Sequence, residues 1–515
     1  MKKAIYLIIA LIGLSAPSCS DSMLDFSPTD SGSGKSASTA ITSVNGVYRS
    51  MWTAGWSTTA NTHQCFGIAA YNLALDCMAD DLIMQSQGNG WFWGDHCYNV
   101  KSNYTSSAFR SYDVWYANYK WIANVNYIID AEPEMAGTEA DVAYVAGQAY
   151  AIRALCYLNL ATWFSRAPYN SLTGASRWNE PCVPVYTTGT SIDTGGQPRE
   201  SLRTVYGRID QDIDRAIELL EKARETTLAE NNKSHINLYV ALGIKSRACL
   251  AEGDWDGAFK AAKRVIDEGG YAVGTKSDLT GGMNSLDKQN VMWGAGIQVA
   301  DQAGGYAGFF THMDNKEGAY AKSAPKLISK QLYNRISATD IRRDWWDPSD
   351  KESPYVSKKF SFANVASFLG DYIYMRVEEM YFTAAEAALR LDDLKSAREL
   401  MNTVMAERDP GYSANNRSGT LLGATTTTWT GSFLENILTH RRIELWGEYG
   451  RLFDVRRLGQ GIDRRTDDGF SEECISMMNR RNVNITKADT YDWVLTIPKA
   501  ELDANPNINE EDQNP

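Results

Sequence analysis

The sequence contains few of the residues and spacings on which enzymes and metalloproteins commonly depend. Only five histidines occur in 515 residues, and no two of them have the spacing of metal ligands on one helix. The eight cysteines form no CxxC pair, and no GxSxG nucleophile motif is present. We therefore expect no cofactor. A calcium ion is left open, but no acidic loop has EF-hand spacing to support one.

Positive charge and long apolar runs are also scarce. The 51 Lys and Arg residues are outnumbered by 63 Asp and Glu residues, which gives a formal net charge of −12. An acidic chain is not expected to bind nucleic acid or an anionic membrane surface. No run of 18 apolar residues occurs, yet 43% of all residues are hydrophobic. That composition excludes a disordered chain and predicts a large folded body.

The N-terminus has the pattern of an export signal. Lys2 and Lys3 precede the apolar run Ala4–Leu14, which is too short for a transmembrane helix. Cys19 follows small residues and resembles the acylated cysteine of a bacterial lipobox; ordinary cleavage nearby is the alternative. We predict a signal peptide over residues 1–18 and a lipid-anchored tether, rich in Ser, Asp and Gly, over residues 19–38. Residues 39–515 are then one domain.

Helical periodicity dominates that domain. Val205, Ile209 and Ile213 share one face of a helix that begins after Ser201, a typical N-cap residue. Two helical hairpins are predicted, with turns at Gly253-Asp254-Trp255 and at Asp392-Asp393. They resemble tetratricopeptide units, so we predict a mainly α-helical scaffold. Two irregular insertions, near 53–104 and 270–320, interrupt it, and Val291–Val299 is a candidate strand.

The two insertions combine aromatic residues with polar ones. Sugars present C–H patches that stack on aromatic rings and hydroxyls that bind amides and carboxylates. The predicted glycan contacts are Trp91, Trp93, Tyr306, Phe309 and Phe310, with Gln87, Asn89 and Asp95 as polar partners. Packing of these rings against the helices is the alternative interpretation.

A signature near the C-terminus resembles a known family. Arg441–Gly459 reads RRIELWGEYGRLFDVRRLG, and its alternating Arg and acidic residues are similar to the signature of the RagB/SusD family of outer-membrane nutrient-binding lipoproteins. We interpret these charges as a structural ion-pair network rather than a catalytic site. The resemblance implies a SusD-like fold at the cell surface, facing outward from the outer membrane. It also implies a partner, a SusC-like TonB-dependent transporter.

Together these features predict a protein that binds an oligosaccharide or polysaccharide and is not an enzyme. The resemblance implies that it passes this glycan to the transporter. Release of the cargo requires weak binding, roughly 1 µM to 1 mM. One alternative is a surface protein-interaction subunit that binds no sugar. The other is a glycoside hydrolase, for which Asp80-Asp81 or Glu378-Glu379 would be the candidate carboxylates.

Overall fold

The computed structural model describes residues 35–53, 62–98, 109–191, 193–229, 233–298, 307–488 and 490–515. In these ranges the chain is mainly helical, which confirms the predicted fold class. The helices, α1 to α18 in chain order, are Ala37–Ser50, Ile68–Met78, Trp93–His96, Phe109–Ala131, Glu139–Phe164, Leu202–Lys222, Leu238–Glu252, Trp255–Glu268, Lys276–Thr280, Phe309–Met313, Ala319–Ser323, Lys330–Tyr333, Val377–Arg390, Leu394–Ala406, Phe433–Glu444, Arg451–Leu458, Glu472–Arg480 and Lys499–Ala504. Within these ranges every helix is too short or too polar to span a bilayer.

Both predicted hairpins form. Helix α7 ends at Glu252 and is capped by Gly253, whose left-handed φ of 76° suits glycine. The Asp254 side chain then caps α8 by accepting a hydrogen bond from the Gly257 amide. Helices α13 and α14 are joined in the same way, with Asp393 capping α14. Consecutive helices pack side by side from α4 through α8, and α13 continues the stack against α8. This stack is the tetratricopeptide-like scaffold.

In the part of the chain that the structure describes, six short strands form two antiparallel sheets beside the helical stack. The strands, β1 to β6, are Leu82–Ile83, Val291–Ala295, Leu327–Ile328, Trp346–Asp347, Val356–Ser357 and Tyr372–Arg376. Strands β1, β3, β5 and β4 form one sheet, and β2 pairs with β6 in the other, with Val291 opposite Arg376. The predicted strand at Val291–Val299 is thus present but shorter. Since β6 runs directly into α13, this second sheet joins the irregular part of the chain to the scaffold.

The charged signature forms a buried ion-pair network, as its composition predicts. Glu444 binds the guanidinium groups of Arg342, Arg376 and Arg408, and the side chains of all four residues are fully buried. Burial alone would raise the pKa of Glu444, but the three positive charges outweigh it and hold the pKa well below its ordinary value. These groups therefore stay charged and fix the packing of α15 against the scaffold.

The seven described cysteines are all buried, which is typical of small core residues. Cys19 lies outside the described residues.

Candidate functional site

The segment that precedes α3 forms a tight turn at the surface. The amide of Gly90 donates to the carbonyl of Gln87 at 2.8 Å, and Gly88 has a φ of 52°. A Cβ atom at Gly88 would lie 2.5 Å from the carbonyl oxygen of Ser323, so the turn lies directly against the end of α11. This contact brings Trp91, which follows the turn, close to Tyr320 of α11.

Three half-buried rings meet at this point, and we call His63, Trp91 and Tyr320 the Trp91 cluster. The imidazole of His63 is stacked on the indole of Trp91, with centroids 4.8 Å apart and planes 9° apart. The ring of Tyr320 lies 6.1 Å from that of Trp91, and its hydroxyl hydrogen-bonds to Nδ1 of His63. The exposed side chains of Gln87 and Asn89 stand on the adjoining turn. The cluster is therefore a partly exposed aromatic plate with amides beside it.

A buried layer supports the cluster from below. Nε2 of His312 donates to the carbonyl oxygen of His63 at 2.6 Å, and the amide of Phe92 donates to Oε1 of Gln64 at 2.8 Å. Burial, together with the charge of Lys326, lowers the pKa of His312 well below its ordinary value. His312 is therefore neutral at physiological pH and serves as a fixed hydrogen-bond donor.

Several predicted contact residues do not lie where the sequence suggested. Trp93 is only 3% exposed, and Asp95 is fully buried in a bidentate pair with Arg110, at 2.9 and 3.0 Å. Phe92 has a left-handed φ of 61°, and Trp93 then begins a helical turn. The extended geometry that would place Trp91 and Trp93 on one face is therefore absent. The expectation that Trp93 and Asp95 are exposed to a ligand is wrong.

The second aromatic segment is likewise buried. Phe309 and Phe310 are 8% and 2% exposed, and their rings pack against Phe360, Phe362 and Tyr372. The expectation that these two rings are exposed is also wrong, because they fill the space between α10 and strand β6. Tyr306, predicted beside them, lies outside the described residues.

Sequence reasoning missed two members of the cluster. His63 and Tyr320 are 257 residues apart and belong to no motif, so only the fold brings them together. The one available signal was the aromatic content of the two insertions in which they lie.

The carboxylates proposed for a hydrolase are engaged elsewhere. Asp80 and Asp81 form ion pairs with Arg442 and Arg451 at 2.9 and 3.1 Å. Both carboxylates are buried, and their ion pairs make them part of the structural network around the signature.

The second candidate pair is also buried. Glu378 accepts from Arg408 at 2.7 Å, and Glu379 from Arg247 at 2.7 Å.

The described ranges contain no group of three or more His, Cys, Asp and Glu side chains that could bind a metal ion.

Two protein-family models match this sequence. Residues 321–515 match the model of the SusD family, and residues 67–250 match a model described as "Starch-binding associating with outer membrane". No curated protein matches the sequence.

Solved structures cover nearly the whole chain. A SusD-like carbohydrate binding protein from Bacteroides vulgatus is 25% identical over 93% of this chain and 98% of its own, with a TM-score of 0.73. A SusD superfamily protein from Bacteroides thetaiotaomicron is 22% identical over 93% and 100%, also at 0.73. Surface glycan-binding protein A from the same organism, solved in complex with laminarihexaose, is 16% identical over 93% and 99%, with a TM-score of 0.64.

Proposed function

We propose that this chain, whose residues 67–250 and 321–515 match two SusD-type family models, is a cell-surface lipoprotein that captures a glycan without cleaving it. The observation that carries the proposal is the Trp91 cluster. Its stacked rings present an apolar surface that matches the C–H face of a pyranose, and the amides of Gln87 and Asn89 stand where they meet sugar hydroxyls. The glycan-binding neighbours of the same fold support this role.

Titration calorimetry with a panel of neutral hexasaccharides tests the capture step. Replacing Trp91 with Ala removes the central ring, and we expect the affinity for the panel member that binds best to fall about tenfold. Trp178→Ala is the matched control, because Trp178 is another half-buried tryptophan in contact with one ring, that of Tyr206. Equal affinity of Trp91→Ala and the unsubstituted protein would contradict the proposed site.

The same proposal places Cys19 at the membrane. An acyl group on Cys19 would hold the domain at the outer surface of the outer membrane. The tether would be shorter than the predicted 19–38, because Ala37 already begins helix α1 and is buried. The export pattern and the description of the second family model support this placement. Labelled palmitate should be incorporated into the protein and should be absent from Cys19→Ala; labelling that persists in the variant would overturn the assignment.

We further propose that the captured glycan passes to a SusC-like TonB-dependent transporter. Stacked helical hairpins offer broad surfaces for protein partners, which supports such an assembly. Affinity purification of the native lipoprotein from solubilised outer membrane should recover a barrel transporter. Recovery of the lipoprotein alone would favour the alternative, a surface subunit with other partners.

A further inference from the structure

A second aromatic surface lies on helix α4 and on elements that the Trp91 cluster does not use. Tyr119 of α4 and Tyr186 of the loop before α6, both half-buried, line an open groove of about 320 Å³ together with the buried Trp115 of α4 and with Glu501 of α18. Pockets of this size are typical of small-molecule sites. The groove is therefore large enough to hold a ligand.

The walls of the groove are held by hydrogen bonds. The hydroxyl of Tyr119 donates to the carbonyl oxygen of Pro184 at 2.8 Å, and Nε1 of Trp115 donates to Oε2 of Glu501 at 3.3 Å. The rings of Trp115 and Tyr119 are 4.9 Å apart, and the ring of Tyr186 stands perpendicular to that of Tyr119 at 5.9 Å. Preorganised walls of this kind reduce the entropy lost when a ligand binds.

The chemistry of the lining selects the ligand. The described lining includes one carboxylate and no Lys or Arg, and the nearby ammonium of Lys120 lies over the ring of Tyr116 at 5.4 Å, so the lining itself offers no cationic partner to an anion. Thr190, Ser191 and Thr194 place aliphatic hydroxyls on the same lining. An apolar ring face together with a set of hydroxyls is what a neutral sugar requires. A quaternary ammonium ion would use the rings and the carboxylate, but it has no group that pairs with these hydroxyls.

We propose that this groove is a second subsite for a neutral oligosaccharide, separate from the Trp91 cluster. The inference rests on the proposed glycan-binding function and adds to it. Two weak subsites on one rigid body let the protein hold a long glycan while each contact remains easily released.

The experiment uses the full-length protein and the panel member that binds best, with calorimetry to give the number of sites. We expect two sites in the unsubstituted protein and one in Trp91→Ala. The site that remains should lose about fivefold or more in affinity when Tyr116→Ala is added, because Tyr116 also lines the groove. Thr194→Arg is a second variant, which should block the groove and weaken binding there. Because Thr194 is exposed, we expect this variant to fold normally.

A Glu501→Gln variant separates the sugar from a cation. Binding of the neutral hexasaccharide should change by less than about threefold, because glutamine keeps a hydrogen-bond acceptor. The inference would be overturned if the groove bound tetramethylammonium in the unsubstituted protein but not in Glu501→Gln, and bound no saccharide in either.

The number of sites separates failure of this inference from failure of the proposed function. A single, Trp91-dependent site that Tyr116→Ala and Thr194→Arg leave unchanged would overturn the inference alone. Saccharide binding that depends on Tyr116 and not on Trp91 would support the groove and contradict the proposed site.

Discussion

Replacing Glu444 with Gln should destabilise the fold strongly, because this carboxylate lies at the centre of the buried ion-pair network. Its Oε1 atom accepts from Arg376 at 3.0 Å and from Arg408 at 2.8 Å. Its Oε2 atom accepts from Arg342 at 3.1 Å and from Arg408 at 3.2 Å. Glutamine has nearly the same shape, so the substitution changes charge and hydrogen bonding with little change in volume.

The size of the effect follows from these contacts. One of the two oxygens becomes an amide nitrogen, which donates hydrogen bonds and would face two guanidinium nitrogens that also donate. The buried cluster also gains one unit of uncompensated positive charge. Breaking a buried ion pair by removing one partner costs about 3–5 kcal/mol, and we expect a loss of that size.

A surface ion pair of the same type supplies the control. Asp256 and Lys260 are one turn apart on α8, and their side chains are 59% and 72% exposed. Asp256→Asn should therefore cost no more than about 0.5 kcal/mol. Urea unfolding, followed by circular dichroism and tryptophan fluorescence, gives the midpoints to compare. If the midpoint of Glu444→Gln equals that of Asp256→Asn, the buried network contributes no more to stability than a surface ion pair.

Three further predictions concern acid stability and the candidate site. The pKa of Glu444 is lower in the folded protein than its unfolded value near 4.5. Its contribution to the free energy of unfolding is therefore present above that pH and is lost as the pH falls through the folded pKa. The urea midpoint should fall steeply below about pH 4, and less steeply in Glu444→Gln. Trp93→Ala should cost about 3–5 kcal/mol in urea unfolding because the ring is buried, and a loss below about 1 kcal/mol would show that Trp93 is exposed in solution. Gly88→Ala should weaken glycan binding in calorimetry, because its Cβ would push the turn away from Ser323 and α11; unchanged affinity would show that this contact does not position Trp91.

The scaffold could be predicted from the sequence because its signals are local. Apolar residues at helical spacing define α6, and Ser201 caps it as expected by accepting a hydrogen bond from the amide of Thr204. The small turn at Gly253-Asp254 likewise depends on adjacent residues. The charged signature indicated an ion-pair network by its composition alone, although its partners on other elements, such as Arg376 and Arg408, could not be named.

The candidate site could be predicted only in part, because burial in irregular segments depends on distant residues. Trp91 and Trp93 look equivalent in the sequence, yet the left-handed backbone of Phe92 separates their environments. The sequence suggests that Asp95 is a polar ligand contact, but in the structure its carboxylate forms a buried ion pair with Arg110. Such pairings depend on tertiary contacts, and periodicity carries no information about them.

The aromatic residues that the sequence assigned to the ligand instead explain why the Trp91 cluster is rigid. The hydroxyl of Tyr372, on strand β6, accepts from the amide of Phe309 at 3.1 Å and so fixes the start of α10. Three residues further along this helix, His312 binds the carbonyl oxygen of His63, whose ring is stacked on Trp91. Strand β6 itself ends at Arg376, in the ion-pair network. A continuous series of contacts thus connects the ion-pair network to the Trp91 cluster. Because these contacts position the rings of the Trp91 cluster before a ligand binds, little conformational entropy is lost on binding. A few stacking contacts with a sugar then suffice for weak, reversible capture.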